Sequence, residues 1–476
     1  MNAPSPFIDP DELRAQFCTA LSEMYRSEVP LYGDLVSLVD EVNSEVMDSS
    51  PELWEVGDRV RVERHGAIRL GTSSELQTVT RLFRLMGMFP VGYYDLSSSG
   101  VPVHATAFRP LSADALSKHP FRIFTSLLRP DLIPDLPLRE EVIEILDRRE
   151  IFHPAVLTIL DRAERQDGQL SKEDGKMLVE FGLETFKWHE RALVTRETYV
   201  RMKRFHPLLA DIAGFKGPHI NHLTPRVLDI DKVQEMMAER GIPPKDIIEG
   251  PPNRSCPILL RQTSFQALTE PILFACASPG ETSPGSHRAR FGEIESRGCA
   301  LTKKGHELYQ SLMRSAGQPT VDNVKWQSHL SSVFTPSAFP DTWSEIRHSK
   351  LAYFTYSLSS SSSSSSSTSA SSSTPASHSD ETIEELIHQG VVEYTPIVYE
   401  DFLPASAAGI FQSNLGNDEH HEQSILSKSD ARKEAEARER LERCVGGKIW
   451  DYFQLYDKIE RDSLEEVRRL TGCKLV

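Results

Sequence analysis

Arg61-Val62-Glu63-Arg64-His65-Gly66-Ala67-Ile68-Arg69-Leu70-Gly71 is a short run closed by glycine, and it reads as a β-strand. On a strand His65, Ala67 and Arg69 share one face. Thr72 or Ser73 then caps a helix from Glu75 to Met86, with Leu76, Val79, Leu82, Phe83 and Met86 on one side. Phe89–Leu96 and Val103–Pro110 follow as strand-like runs separated by Ser97-Ser98-Ser99-Gly100. The order is β–α–β–β.

Further along, the order returns. His219-Ile220-Asn221-His222-Leu223-Thr224 reads as a strand, and Asp229 or Asp231 caps a helix from Val233 to Glu239 that stops at Gly241-Ile242-Pro243-Pro244. Ile258–Leu268 and Ala289–Glu295 are strand-like again. The two copies share element order and no sequence. Residues 11–47 read as two helices, and 118–210 as mostly helical with prolines at the breaks. The reading is an α+β catalytic core over 1–356, with modules at 55–112 and 215–300 and a helical insertion at 113–210. Residues 357–380 are a serine-rich insertion that cannot bury apolar surface. Ordered-looking runs flank it, so 381–476 is expected to continue the same domain and contribute to its pocket.

Composition removes several classes of function. The 53 basic and 69 acidic residues leave a net charge of −16, and no basic run is interleaved with aromatics, so nucleic acid and anionic membranes are not expected partners. No stretch of about 18 apolar residues is present to span a membrane, and Met1–Phe17 lacks the features of a secretory signal. A cytoplasmic location is expected. The six cysteines are scattered without a C-x2-C pair, which argues against a disulfide framework or a structural zinc site. Oligomeric state is not legible.

The residues able to carry chemistry are few. His65 opens the first β–α unit and His222 opens the second at the equivalent place; His219 falls on the opposite strand face from His222. Arg69 lies about 13 Å along the strand from His65, a gap that an arginine side chain partly closes, so one residue could hold a metal and the other a substrate carboxylate. Glu293 and Glu295 share a face of Phe291-Gly292-Glu293-Ile294-Glu295-Ser296-Arg297-Gly298, and a buried carboxylate there calls for a cation or hydrogen-bond donors. Two imidazoles and one carboxylate suit an Fe(II) oxygenase, and also zinc in a hydrolase or lyase. A non-catalytic binding protein is the remaining reading. Asp418-Glu419-His420-His421-Glu422 reads as a solvated polar run.

His65-Gly66-Ala67-Ile68-Arg69, Gly92–Leu96, Val101–Pro110, Asn221-His222-Leu223-Thr224-Pro225-Arg226, Phe291–Gly298 and Tyr399-Glu400-Asp401-Phe402-Leu403-Pro404 with Ala407–Phe411 together resemble the 2-oxoadipate dioxygenase/decarboxylase family. The resemblance implies paired β–α–β–β–β modules of the vicinal oxygen chelate kind, forming a metal-binding mixed sheet with helical insertions. It implies Fe(II) held by His65, His222 and Glu293; Glu293 precedes Arg297 by four residues, as the ligand does in the similar 4-hydroxyphenylpyruvate dioxygenases, with Glu295 as the other candidate. It implies that Arg69 takes the distal carboxylate of a 2-oxo dicarboxylic acid, and that Ala405, where valine is expected in relatives, lines the pocket. The implied reaction converts 2-oxoadipate and O2 into 2-hydroxyglutarate and CO2, in lysine catabolism.

Overall fold

A computed structural model describes residues 5–49, 59–97, 100–276, 278, 280–319, 322–359, 381–403 and 431–474. Ala405, most of the serine-rich insertion and the Asp418–Glu422 run lie outside these described residues. The strands are β1 (Arg64–Leu70), β2 (Phe89–Asp95), β3 (Val103–Arg109), β4 (Phe121–Leu128), β5 (Arg191–Thr195), β6 (His222–Pro225), β7 (Leu260–Ser264), β8 (Thr269–Ala275), β9 (Thr282–Arg288), β10 (Phe291–Arg297), β11 (Phe354–Leu358) and β12 (Val392–Pro396). Seven form one mixed sheet in the order β2-β3-β4-β1-β6-β10-β7.

The sheet is arranged symmetrically about its middle. β1 and β6 meet antiparallel, with Ala67 opposite His222. Outward from that seam, β4 runs parallel to β1 and β10 parallel to β6. Then β3 and β7 each run antiparallel to their inner neighbours. β2 closes the first side, and the stretch 244–249 bridges to β7 at the corresponding place on the second, through Pro244↔Phe265 and Glu249↔Gln262. The hairpin β8–β9 leaves this sheet and pairs with β5 instead.

Several expected boundaries move. Phe121–Leu128, read from sequence as part of the helical insertion, is strand β4 and lies beside β1. Every one of its residues is buried, so it lacks the in–out alternation that marks a half-exposed strand. Arg59–Val62 is a helical turn rather than the start of β1. His219–Asn221 precede β6 rather than lying within it. The caps resolve to Thr72, which with Glu75 makes a reciprocal capping box, and Asp229.

The two sheet faces have different tasks. Ile68 and Leu70 of β1 and Ile294 of β10 join a large apolar cluster with the helices Pro10–Glu28, Pro30–Ser49 and Ser73–Leu85. Gly292 permits that close packing, since a Cβ there would lie 2.4 Å from Phe265 and 2.9 Å from Leu35. Ala67, Ala105, Ala107 and Phe124 pack on the other face in a separate cluster that includes Phe402. Among the described residues no helix is long and apolar enough to cross a membrane.

The first helix reaches through to the sheet seam. Tyr25 Oη lies 3.0 Å from the Asn221 carbonyl and 2.8 Å from the Phe291 carbonyl, so its proton serves two acceptors at the starts of β6 and β10. Tyr25→Phe leaves these buried carbonyls short of a donor and should cost about 1–3 kcal/mol in a denaturant titration. An unchanged midpoint would show that this tie is dispensable.

Candidate metal centre

Strand pairing brings the expected ligands together. β6 lies between β1 and β10, with Thr224 opposite His65 and Leu223 opposite Gly292. Neighbouring strands are spaced about 4.8 Å apart, so inward side chains from β1 and β10 can meet above β6. His65, His222, Thr224 and Glu293 all rise from the same face. His65 Nε2 lies 3.1 Å and His222 Nε2 3.7 Å from Glu293 Oε1. Thr224 Oγ1 donates to the same oxygen at 3.0 Å, and Gln262 Nε2 is 3.4 Å from Oε2. The potential ligand atoms of His65, His222 and Glu293 all fall within 4.8 Å of one another.

All three groups are fully buried. Neither ring nitrogen of His222 has a hydrogen-bond partner, a costly state for a buried polar group. Burial lowers its pKa to about 4, so it presents a neutral imidazole. Burial also disfavours a proton on His65, but the carboxylates of Glu295 and Glu293 outweigh this and raise its pKa above the usual 6.5. Burial pushes Glu293 up, while His222 and His65 hold it below the usual carboxylate value. One anionic oxygen faces His65 Nε2 at hydrogen-bond distance and a His222 nitrogen that has no partner. That donor set fits a divalent transition metal and leaves coordination positions unfilled.

The two candidate glutamates separate cleanly. Glu295 is engaged at both oxygens by Arg297, with Nε–Oε1 2.8 Å and Nη2–Oε2 2.9 Å. Burial pushes its pKa up, but Arg297 and His65 bring it down to about 2. His65 Nδ1 lies 3.1 Å from Glu295 Oε1, on the ring edge opposite Glu293. Glu295 thus lies behind the histidine in ion-pair range without a well-aligned hydrogen bond, and Nε2 faces the centre. His219 is separated from His222 and belongs to a different buried group with Asp211 and His287. Arg69 is buried and its Nη1 contacts Asp211 Oδ2 at 2.6 Å.

Beneath the centre lies a lattice of buried charges that sequence reading did not assign. Glu63 takes Arg122 at 2.8 Å and Arg226 at 3.1 Å. Arg122 and Arg59 also pair with Glu400. Arg297 donates from Nη1 to the carbonyls of Tyr399 and Asp401. Arg109 grips Asp401 in a two-point fork at 2.8 and 3.0 Å, and Tyr456 donates to Asp401 at 2.6 Å. These bonds seat Phe402 edge-on to His65, 5.0 Å between ring centroids. A sequence signal existed for part of it: Glu63, Arg109 and Arg226 are charges inside or beside strand-like runs where a core would otherwise be apolar, whereas Arg122 fell in a stretch read as helical.

A family model described as 2-oxoadipate dioxygenase/decarboxylase matches residues 17–414. A 2-oxoadipate dioxygenase/decarboxylase of Escherichia coli K12 is 49% identical over 462 residues, 96% of this chain and 98% of that protein. One of Pseudomonas putida KT2440 is 46% identical over 475 residues, covering 96% and 97%. The crystal structure of the hydroxyglutarate synthase from Pseudomonas putida in complex with 2-oxoadipate superposes with a TM-score of 0.84 at 44% identity, covering 98% of this chain and all of that one. Family model, near full-length identity and superposition agree, and the chain belongs to the 2-oxoadipate dioxygenase/decarboxylase family.

Proposed function

We propose that this chain is an Fe(II)-dependent dioxygenase that converts 2-oxoadipate and O2 into 2-hydroxyglutarate and CO2. The carrying observation is the buried convergence of His65, His222 and Glu293 from three adjacent strands, in a chain whose relatives are named for that reaction. The atoms balance: a six-carbon oxo diacid plus two oxygen atoms gives a five-carbon hydroxy diacid plus CO2. His65, His222 and Glu293 are the residues that would hold the metal. Fe(II), when bound there, would supply redox chemistry toward O2 and the 2-oxo acid.

The remaining roles fall to the protein. Arg69, on the same strand face as His65, holds the distal carboxylate and keeps the substrate chain extended along β1, a positioning effect. Phe402 and Phe124 cover the centre with apolar rings and limit water. Glu295 keeps His65 oriented. The sheet corresponds to two β–α–β–β–β modules of the vicinal oxygen chelate kind, with β6, 244–249, β7 and β10 as the second and β8–β9 as an excursion from it. Glu400 pairs with Arg122 of β4 and Asp401 with Arg109 of β3, which supports reading the C-terminal part, 381–476, as a continuation of the same domain; a pocket-lining role for Ala405 is what the family resemblance implies.

Purified protein loaded anaerobically with Fe(II) should bind one equivalent. Glu293→Gln should lose iron and O2 uptake together, whereas Glu295→Gln should retain iron at roughly 10–100-fold weaker affinity. The reverse pattern would make Glu295 the ligand.

Arg69→Ala should lower kcat/KM for 2-oxoadipate by 100-fold or more, on the order of 3 kcal/mol for a lost charge-assisted contact. It should leave iron content intact. Full activity in this variant would remove Arg69 from substrate binding.

Iron binding must displace the His65 proton. Because that pKa is raised above 6.5, affinity should fall by about tenfold per pH unit below the raised value. The metal-free fold behaves oppositely: protonated His65 stabilises it fully below 6.5, and this is lost as pH rises through the raised value. Iron titrations at several pH values, paired with melting of the apoprotein, should show slopes of opposite sign.

A further inference from the structure

A second buried polar group stands apart from the proposed metal ligands. Asp211 lies on the short helix Pro207–Ala213, and its two oxygens divide their partners. Oδ2 receives Arg69 Nη1 at 2.6 Å and Asn221 Nδ2 at 3.3 Å. Oδ1 lies 2.9 Å from His287 Nε2 and 3.2 Å from His219 Nε2. His287 comes from β9, in the separate three-stranded sheet. Its other nitrogen, Nδ1, is 2.7 Å from the Tyr199 hydroxyl. When Tyr199 donates there, His287 carries its proton on Nε2 and donates it to Asp211.

Aromatic rings enclose the group. Trp188 stacks on His287 at 5.9 Å and meets His219 edge-on at 4.8 Å, and Phe215 lies 4.7 Å from His287. Asp211, His219, His287, Asn221 and Arg69 are all buried. A low-dielectric surround strengthens each of these contacts. Burial pushes the Asp211 carboxyl up, but His219 and Arg69 hold it well below its usual value, so it stays anionic.

A metal site and a positioning role compete for this cluster. Asp211, His219 and His287 have the spacing of a metal site. A divalent ion there would lie against the Arg69 guanidinium, which already balances the single carboxylate. Charge therefore favours a different role.

We propose that Asp211, clamped by His287 and Asn221, is a positioning residue that fixes the Arg69 guanidinium and thereby sets the enzyme's preference for a 2-oxo acid with a distal carboxylate. The inference rests on the role given to Arg69 above. Arginine has many rotamers, and a strand fixes only its Cα. An anchored carboxylate at Nη1 selects among those rotamers before substrate arrives. Asp211 touches the arginine rather than the substrate, so its effect passes through Arg69.

The test compares O2 uptake with 2-oxoadipate and with 2-oxohexanoate, which has the same carbon chain without the distal carboxylate. The holoenzyme, Asp211→Asn, Arg69→Ala and the double variant are measured, with iron content and melting temperature for each. Asp211→Asn should raise KM for 2-oxoadipate at least tenfold and narrow the kcat/KM ratio between the two acids by a similar factor. The activity with 2-oxohexanoate and the single equivalent of iron should persist. In the double variant the ratio should equal that of Arg69→Ala alone. His287→Gln, a milder change, should shift the ratio in the same direction should Asp211→Asn fold poorly. Equal losses with both acids would mean a merely structural role and overturn the proposal. So would a second equivalent of metal that Asp211→Asn removes. If Arg69→Ala leaves the ratio untouched, the Arg69 reading itself falls; if only Asp211→Asn and His287→Gln leave it untouched, the positioning role falls and the Arg69 reading stands.

Discussion

Glu293 is a charge buried at the middle of a sheet, and the surrounding structure is organised around making that tolerable. An isolated carboxylate in a protein interior is unstable by many kcal/mol unless it is neutralised or paired. Here it is met by two imidazoles, a threonine hydroxyl and a glutamine amide. His222 offers nitrogens that nothing else satisfies. A cation completes this set more naturally than a proton would, because the lowered pKa of His222 and of Glu293 both favour the forms that ligate.

The same problem repeats one layer down. Glu63, Glu295, Glu400 and Asp401 are buried, as are Arg109, Arg122, Arg226 and Arg297. Buried ion pairs contribute little net stability compared with apolar packing, so their value lies in geometry. The lattice joins β3, β4 and β10 to the Tyr399–Phe402 segment, nearly three hundred residues away from β3 in sequence. Bidentate arginines allow few alternative arrangements. The Phe402 ring and the His65 ring are therefore set relative to one another by charge pairing from below.

The site was more legible in the sequence than the fold around it. His65, His222 and the Phe291–Gly298 stretch stood out because polar residues in strand-like runs need a reason, and because His65 and His222 open two units of the same order. The choice between His219 and His222 followed from strand alternation, although His219 proves to precede the strand. Strand β4 was missed because a fully buried strand has no period to read. The excursion of β8–β9 was illegible for another reason: pairing with β5 is decided by the whole fold and leaves no local mark. Asp211 and His287 carried no sequence signal either, since their partners lie 142 and 76 residues away.

The role proposed for Arg69 would leave substrate length to be tuned from outside β1. A strand offers inward positions only every second residue, about 6.6 Å apart. Moving the arginine by one such step would overshoot the difference between neighbouring dicarboxylic acids, which is one methylene. On that proposal the strand would set only a coarse distance from the metal ligands to the distal carboxylate. Fine adjustment has to come from where the guanidinium rests and from what fills the remaining space. On the proposed roles, Asp211 would act on the first and the residue after Leu403-Pro404 on the second. Under the pocket role that the resemblance implies for position 405, alanine in place of a larger side chain would leave more space without altering the charge clamp. A change in volume without a change in charge geometry alters how tightly a given chain is packed more than which terminal group is recognised.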